Sequence, residues 1–310
     1  MIEFCSLTLS ITLLHWLWSH RHKVQVLHFH WYQRLYQSDR LIWTPIKFAA
    51  FAVKIFLAHN RLGYRLTWTA HNLFPHERRF PLLDKWARWL VTHRASIVFV
   101  ESETAQDVVQ RTFPWIRNIE QIPQGHFVGV YPKGKPMEDA RTELSIPLDA
   151  FVFLTFGLIR AYKGVETLIE AFLRELASPH CYLVIAGAPH TAEIRSAIER
   201  LAADSPYVRL KLGFIPNEEV ETLFNACNVV VLPFSNIFTS STTILACSLG
   251  RPVVIPQLGA LPSSEKSGFF VYDPADPTGL LKAMCASMQA DWREEGKGAI
   301  QPRSCKQLRQ

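Results

Sequence analysis

Short apolar, β-branched runs alternate with longer amphipathic stretches along almost the whole chain, and this alternation limits the fold more than any other feature. In the first half the runs are "IEFCSL" (2–7), "VQVLHFHW" (24–31), "RLTWTAHN" (65–72), "SIVFVES" (96–102) and "IEQIP" (119–123). In the second half they are "FVFLTF" (151–156), "YLVIAG" (182–187), "VRLKLGF" (208–214), "VVVLPF" (229–234) and "PVVIP" (252–256). Near-continuous apolar strands separated by helices belong to parallel sheets covered on both faces. Between the two series, "VYPKGKPMEDARTELSIPLDA" (130–150) gathers proline, glycine and charge, which marks a linker between two Rossmann-like units. The expected organisation is an amino-terminal domain over 1–131, a linker over 132–150, a carboxyl-terminal domain over 151–295 and a polar tail over 296–310. Such sheets bind ligands at the carboxyl ends of their strands, so a cleft between the two units is the expected site.

Composition narrows the function classes. The 310 residues are 48% hydrophobic and 19% charged, enough for two buried cores. Residues 1–131 carry 15 Lys and Arg against 8 Asp and Glu, whereas the remainder carries 18 against 19. The first half is therefore +7 and the second −1. A basic half attracts nucleic acid, anionic lipid or a phosphorylated substrate, but no RGG, zinc-finger or RNP-like pattern speaks for nucleic acid. The six cysteines form no CxxC pair and no metal-ligand spacing, which fits a reduced, cytoplasmic compartment. No run reaches the ~18–20 apolar residues of a membrane span, and "SLTLSITLLHWLW" (6–18) precedes its basic residues, the reverse of a signal peptide. "TPIKFAAFAVKIFLAHNRLGYR" (44–65) reads as a core helix with snorkelling lysines, with an interfacial membrane helix as the alternative.

Two turns in the second half have the chemistry of anion sites. In "FGLIRAYKGVETLIEAF" (156–172) a strand runs into Gly157 and Gly164 opens a helix whose first turn holds Glu166. The free N–H groups of that helix start, with Arg160 and Lys163, suit a phosphate or diphosphate. A loop with two solvated cations is about as common for one isolated turn. The second turn, "PFSNIFTSSTTILACSLGRPVVIP" (233–256), shifts the balance, because Thr239, Ser240, Ser241, Thr242 and Thr243 crowd the next helix start. Plain capping needs one such residue rather than five.

Taken in order, these stretches and their neighbours resemble a known family. "LVIAGAP" (183–189), "LGFIPNEEVETLFNACNVVVLPF" (212–234), "SLGRPVVIPQLGALP" (248–262) and "GFFVYDPADPTGLLKAM" (268–284) resemble the carboxyl-terminal domain of GT-B glycosyltransferases of group 1, the retaining family 4. In the first half, "LHFHW" (27–31), "WTAHNLFPHE" (68–77), "VESETAQDVV" (100–109) and "QIPQGHFVGVYP" (121–132) agree. The resemblance implies an α/β fold of two Rossmann-like domains whose parallel sheets face a central cleft. It implies that Lys163 contacts the donor diphosphate and that Gly157 with Thr239, Ser240, Ser241 and Thr242 completes the donor side. The family's arginine directly follows the glycine, where this chain has Leu158, so Arg160 takes that role from a different position. His71 matches the active-site histidine near the transferred sugar. Asn72 and His76 follow on its loop, and Gly125 and His126 match a turn before the linker, which places all four with His30 on the acceptor side.

The histidines are also weighed as metal ligands. His28, His30, His71, His76 and His126 show no HxxxH spacing and no DxD motif accompanies them, so no metal and no other cofactor is expected. "HFH" sends His28 and His30 to one face of a strand. His28 is read as a packed core histidine and His30 as facing the cleft.

Two departures from the family stand out. Its donor turn usually carries two glutamates, and their places here are Ile237 and Leu245. The first β-α unit is expected to be missing, since "MIEFCSL" resembles the family's second strand. The expected function is transfer of a hexose from a nucleotide-diphosphate sugar to a glycan or lipid-linked acceptor with retention, in the cytoplasm and at a membrane contacted by the basic half. A catalytically silent GT-B partner subunit is the alternative from another class, and a non-hydrolysing nucleotide-sugar epimerase a third.

Overall fold

The computed structural model describes residues 12–38, 40–75, 80–262 and 268–290, and the chain divides into two compact units, Met1–Pro123 and Gln124–Gln310. The break falls ahead of the segment read as a linker. The strand read over 2–7 and the tail over 296–310 lie outside the described residues.

The first unit holds α1 (Thr12–His20), β1 (Val26–Phe29), α2 (Thr44–Asn60), β2 (Arg65–Thr69), α3 (Pro81–Thr92), β3 (Ala95–Val100), α4 (Glu103–Thr112) and β4 (Ile119–Gln121). Its strands form one parallel sheet in the order β1-β2-β3-β4. Local chemistry sets the helix starts. Proline occupies the first turn of α2 and of α3, where its missing N–H costs nothing. Ser102 caps α4 by accepting from the Ala105 amide at 3.1 Å. The core gathers Tyr32, Tyr36, Phe51 and Trp68, all buried. Into it α3 sends two charged side chains: the Arg88 guanidinium lies 4.3 Å from the Trp68 ring centroid and 4.8 Å from that of Tyr32, and Asp84 accepts from Tyr36 Oη at 2.7 Å and Gln37 Nε2 at 2.8 Å.

The second unit holds α5 (Met137–Glu143), β5 (Phe151–Phe156), α6 (Val165–Glu175), β6 (Cys181–Gly187), α7 (Ala192–Ala202), β7 (Val208–Leu212), α8 (Asn217–Ala226), β8 (Val229–Val231), α9 (Ser241–Ser248), β9 (Val253–Pro256), β10 (Phe269–Tyr272) and α10 (Gly279–Gln289). All six strands are parallel, in the order β10-β9-β8-β5-β6-β7. That is a doubly wound sheet whose chain direction of progress reverses between β5 and β8. Alternate residues of β5 feed opposite cores. Val152 and Leu154 join Leu223, Phe224 and Leu245 on one face, and Phe153 joins Leu168, Phe172 and Met284 on the other. Each large side chain so enclosed contributes roughly 1.5–3 kcal/mol.

The segment 132–150 is more structured than its composition suggests. Within it α5 buries Arg141, whose guanidinium donates to the carbonyls of Ala226 (3.0 Å) and Ala150 (2.8 Å) and to Asn228 Oδ1 (2.8 Å). Asn228 Oδ1 in turn accepts from the Val152 amide at 2.8 Å, so the cation ties the segment to the first residues of β5. The hydrogen bonds offset much of the cost of burying its charge.

Candidate functional site

At the point where strand order reverses, the turns leaving β5 and β8 meet. Gly157 leaves β5 at φ +107°, a value that L side chains rarely adopt. A Cβ on it would stand 3.6 Å from Thr242 Oγ1 and 4.0 Å from Lys163 Nζ. Backbone, hydroxyl and ammonium groups far apart in sequence thus converge on one spot. The 3₁₀ turn Ala161–Lys163 delivers Gly164 at φ +65°, and a Cβ there would lie 2.1 Å from the Pro233 carbonyl oxygen. Only glycine lets α6 begin so close to the end of β8. The Ser235 amide donates to the Tyr162 carbonyl at 2.9 Å, which joins the two turns directly.

Lys163 is half-buried, with its ammonium 5.0 Å from the centroid of the Phe234 ring. Burial lowers its pKa to about 8, and among the described residues no carboxylate pairs with it. A partly desolvated cation beside the open amides of a helix start favours an anion, and most of all one with several charged oxygens. Arg160 opens the same turn in extended conformation with its charge beside the Tyr162 phenol, opposing the upward push that burial gives that group.

The hydroxyl-rich turn divides its duties. Ser240 is the cap of α9, accepting from the Thr243 amide at 3.2 Å, and is buried. Ser241 Oγ accepts from Gln124 Nε2 at 2.9 Å, and Thr242 is the hydroxyl that faces Gly157. Thr239 stands half-buried before them. The buried Thr243 Oγ1 has no hydrogen-bond partner among the described residues. Leu245, at one expected carboxylate position, is buried in the core, and the Ile237 carbonyl abuts Gly259. Gly125 and His126 are exposed and belong to this unit, because the Phe127 amide donates to Ser248 Oγ at 2.9 Å and holds their segment against α9. They sit beside the hydroxyl turn, next to Gln124 and Phe127, which bond Ser241 and Ser248 of α9.

A second group lies at the carboxyl ends of three adjacent strands of the first unit. His30 follows β1, His71 follows β2 and Glu101 follows β3. His30 Nδ1 is 2.9 Å from His71 Nε2, and His71 Nδ1 is 3.3 Å from Glu101 Oε1. Trp31 stacks on His71 with ring centroids 5.1 Å apart. His28 is exposed rather than packed in the core: it shares the face of His30, and its ring nitrogens meet the hydroxyls of Thr67 (2.7 Å) and Thr69 (2.9 Å). Among the described strands β1 is outermost, with its His28 face exposed, and the threonines make a polar seat there. Burial, then the neighbouring histidines, hold His28 and His30 below the usual histidine pKa. Asn72 is buried next to this group in sequence, and His76 lies outside the described residues. Among the described residues no three His, Cys, Asp or Glu side chains are grouped to hold a metal ion. Glu101 was absent from the residues singled out by sequence, although its place at the end of "IVFV" matches those of His30 and His71 at their strands.

Residues 150–290, from just before β5 through α10, match the family model of glycosyl transferases group 1. Over 272 residues, 86% of this chain and 72% of the relative, the sequence is 29% identical to a GDP-mannose:glycolipid 4-beta-D-mannosyltransferase of Xanthomonas campestris pv. campestris. Sucrose-phosphate synthase from Thermosynechococcus elongatus matches 96% of the chain, and 76% of its own, at 19% identity and TM-score 0.69. Anabaena HepE in complex with UDP and glucose matches 96% and 77% at 16% identity and TM-score 0.64. The fold is that of the GT-B glycosyltransferases, and the enzyme class is glycosyltransferase.

The lysine of this domain yields a pH test. An unperturbed lysine titrates near 10.5 and Lys163 in the fold near 8, so between those values the unfolded chain binds the extra proton and stability rises with pH. In calorimetric melts of the ligand-free protein, wild type should gain stability relative to Lys163→Met between pH 8 and pH 10, and the variant should melt higher at pH 7. A difference that does not change with pH would show an ordinary solvated lysine.

Proposed function

We propose that this glycosyltransferase moves a hexosyl group from a nucleotide-diphosphate sugar to a lipid-linked glycan. The observation that carries the reading is the convergence of Gly157, Lys163 and Thr242 where the strand order reverses. Departure of the nucleotide diphosphate is the hard part of the reaction, because charge grows on the leaving oxygen as the anomeric carbon becomes cationic. A fixed ammonium and fixed amides at that oxygen stabilise the transition state more than the bound donor. Lys163 and Arg160 supply the charge, the start of α6 and Thr242 the dipoles, and no metal is required by this set. The mannosyltransferase relative supports GDP-mannose as a donor to try first and a glycolipid as acceptor, and HepE supports UDP-sugars as the second choice. The resemblance supports retention in the transfer, but with Ile237 and Leu245 at the carboxylate positions the donor turn lacks the side chains that usually accompany it. The same loss favours a second reading, a silent partner subunit.

We also propose that the first unit rests on an anionic membrane, which suits a lipid-linked acceptor. Its net charge is +7, and no helix among the described residues is long and apolar enough to cross a bilayer. Helices α2 and α3 pack together. Between them they bury Phe51, Ile55, Ala87 and Val91 while exposing Ile46 and Val53, and Leu82, Trp86 and Trp89, next to Lys47 and Lys85. Apolar and aromatic side chains among lysines are suited to an interface between headgroups and acyl chains.

Two measurements test these readings. Incubation with GDP-mannose and with UDP-glucose should release nucleotide, and Lys163→Ala should lower that release by ~100-fold; near-normal release by the variant would remove Lys163 from the site, and no release from the wild type with any donor would leave the partner-subunit reading. Wild-type protein should sediment with vesicles containing phosphatidylglycerol and much less with pure phosphatidylcholine, and Trp86→Glu should weaken the association. Equal behaviour on both vesicles would contradict the membrane contact.

A further inference from the structure

Two serines of α9 accept hydrogen bonds from one segment, and they differ in where their own protons go. The Phe127 amide donates to Ser248 Oγ at 2.9 Å, and Ser248 Oγ donates in turn to the Ile244 carbonyl at 2.7 Å, four residues back in the same helix. Gln124 Nε2 donates to Ser241 Oγ at 2.9 Å in the same way. Ser241 is the first residue of α9, so no helical turn precedes it to offer a carbonyl for its proton. Among the described residues that O–H has no acceptor, and the side chain is exposed. Its neighbours are otherwise engaged. Ser240 is buried as the cap, accepting from the Thr243 amide, and Thr242 Oγ1 stands before Gly157, where Lys163 Nζ also points. Gln124 and all of these residues belong to the second unit.

We infer that Gln124 is a positioning residue of the donor site: its amide fixes Ser241 Oγ as an acceptor and so turns the Ser241 O–H toward a phosphate oxygen of the donor. The inference rests on the diphosphate reading above and adds to it a residue that lies 117 positions away in sequence. A hydroxyl can meet an anion with its proton or with its lone pairs, and the second contact is repulsive. An amide N–H on the far side decides between them, because it occupies a lone pair and leaves the proton to point away from it. The polarity then runs one way, from amide to hydroxyl and from hydroxyl to phosphate oxygen, and each bond strengthens the next. With the amide reversed, Gln124 Oε1 would take the proton and the serine lone pairs would face the anion. The segment does not depend on the Gln124 side chain to stay in place, since the Phe127 amide ties it to the last residue of α9 through the backbone. Charge at the site comes from Lys163 and Arg160, and Gln124 with Ser241 contributes direction.

A double-mutant cycle read by calorimetry tests this. GDP and UDP are each titrated into the full wild-type chain, and the tighter of the two is then titrated into Ser241→Ala, Gln124→Met and the double variant. Met keeps the length of Gln and removes the donor. Ser241→Ala should weaken binding by ~10-fold, the scale of one hydrogen bond to a charged group, and Gln124→Met by at least ~3-fold. In the Ser241→Ala background Gln124→Met should cost nothing further, since both act through one O–H. The matching nucleoside, which carries no phosphate, should bind Gln124→Met as it binds wild type. An equal loss with the nucleoside would show a general disturbance of the turn and overturn the inference. Undiminished diphosphate affinity in Gln124→Met, or losses that add in the double variant, would overturn it too. Melting temperatures measured alongside isolate the structural alternative: Gln124→Met melting lower with its affinity intact would reduce the bond to a tie between segment and helix. Each of these contrary results leaves the diphosphate reading standing, whereas a wild type that binds neither nucleotide would remove that reading and this inference together.

Discussion

The second unit is organised around a cation held where it cannot be fully hydrated and has no carboxylate among the described residues. Several local choices exist to keep it there. Gly157 clears the space in front of it, Gly164 brings the start of α6 against the Pro233 carbonyl, and Phe234 closes over the ammonium. Two features there cost free energy: a desolvated lysine and a buried threonine hydroxyl without a partner among the described residues. Desolvation gathered at one strand reversal is what a ligand site stores. The flanking cores of β5 and β6, nearly all of whose side chains are buried, supply the stability that lets the turn remain so.

The two units differ in net charge. The second carries a cationic turn within a nearly neutral unit, suited to a leaving group that becomes more negative. The first is strongly basic overall, yet the group at its strand ends is built from histidines and one carboxylate, suited to taking a proton.

Much of this was legible in the sequence, and the exceptions have physical reasons. The runs 151–156 and 182–187 became β5 and, extended by one residue, β6, because a strand buried on both faces writes itself as an unbroken apolar run. The convergence of Lys163 with the hydroxyl turn was also readable, since both follow strands. The helix α5 was not, because it buries only Ala140 and an arginine held by carbonyls, which hydropathy counts as solvent-exposed. His28 was misjudged for the opposite reason: an apolar neighbourhood in sequence conceals the open face of an edge strand, where threonine hydroxyls rather than packing receive the ring. β10 is half-buried throughout, and its run of only four apolar residues, FFVY, is short for a strand read from sequence. Gly125 and His126 lie where they do because of two hydrogen bonds from their neighbours to α9, which no spacing announces.

The most direct test of the central claim is a calorimetric comparison of GDP, GMP and guanosine binding to the full chain. A cradle for diphosphate at Lys163 and Thr242 requires GDP to bind at least ~100-fold more tightly than GMP, about 2.7 kcal/mol, and requires that advantage to vanish in Lys163→Met. Equal affinities for GDP and GMP, or an advantage unchanged in the variant, would contradict it.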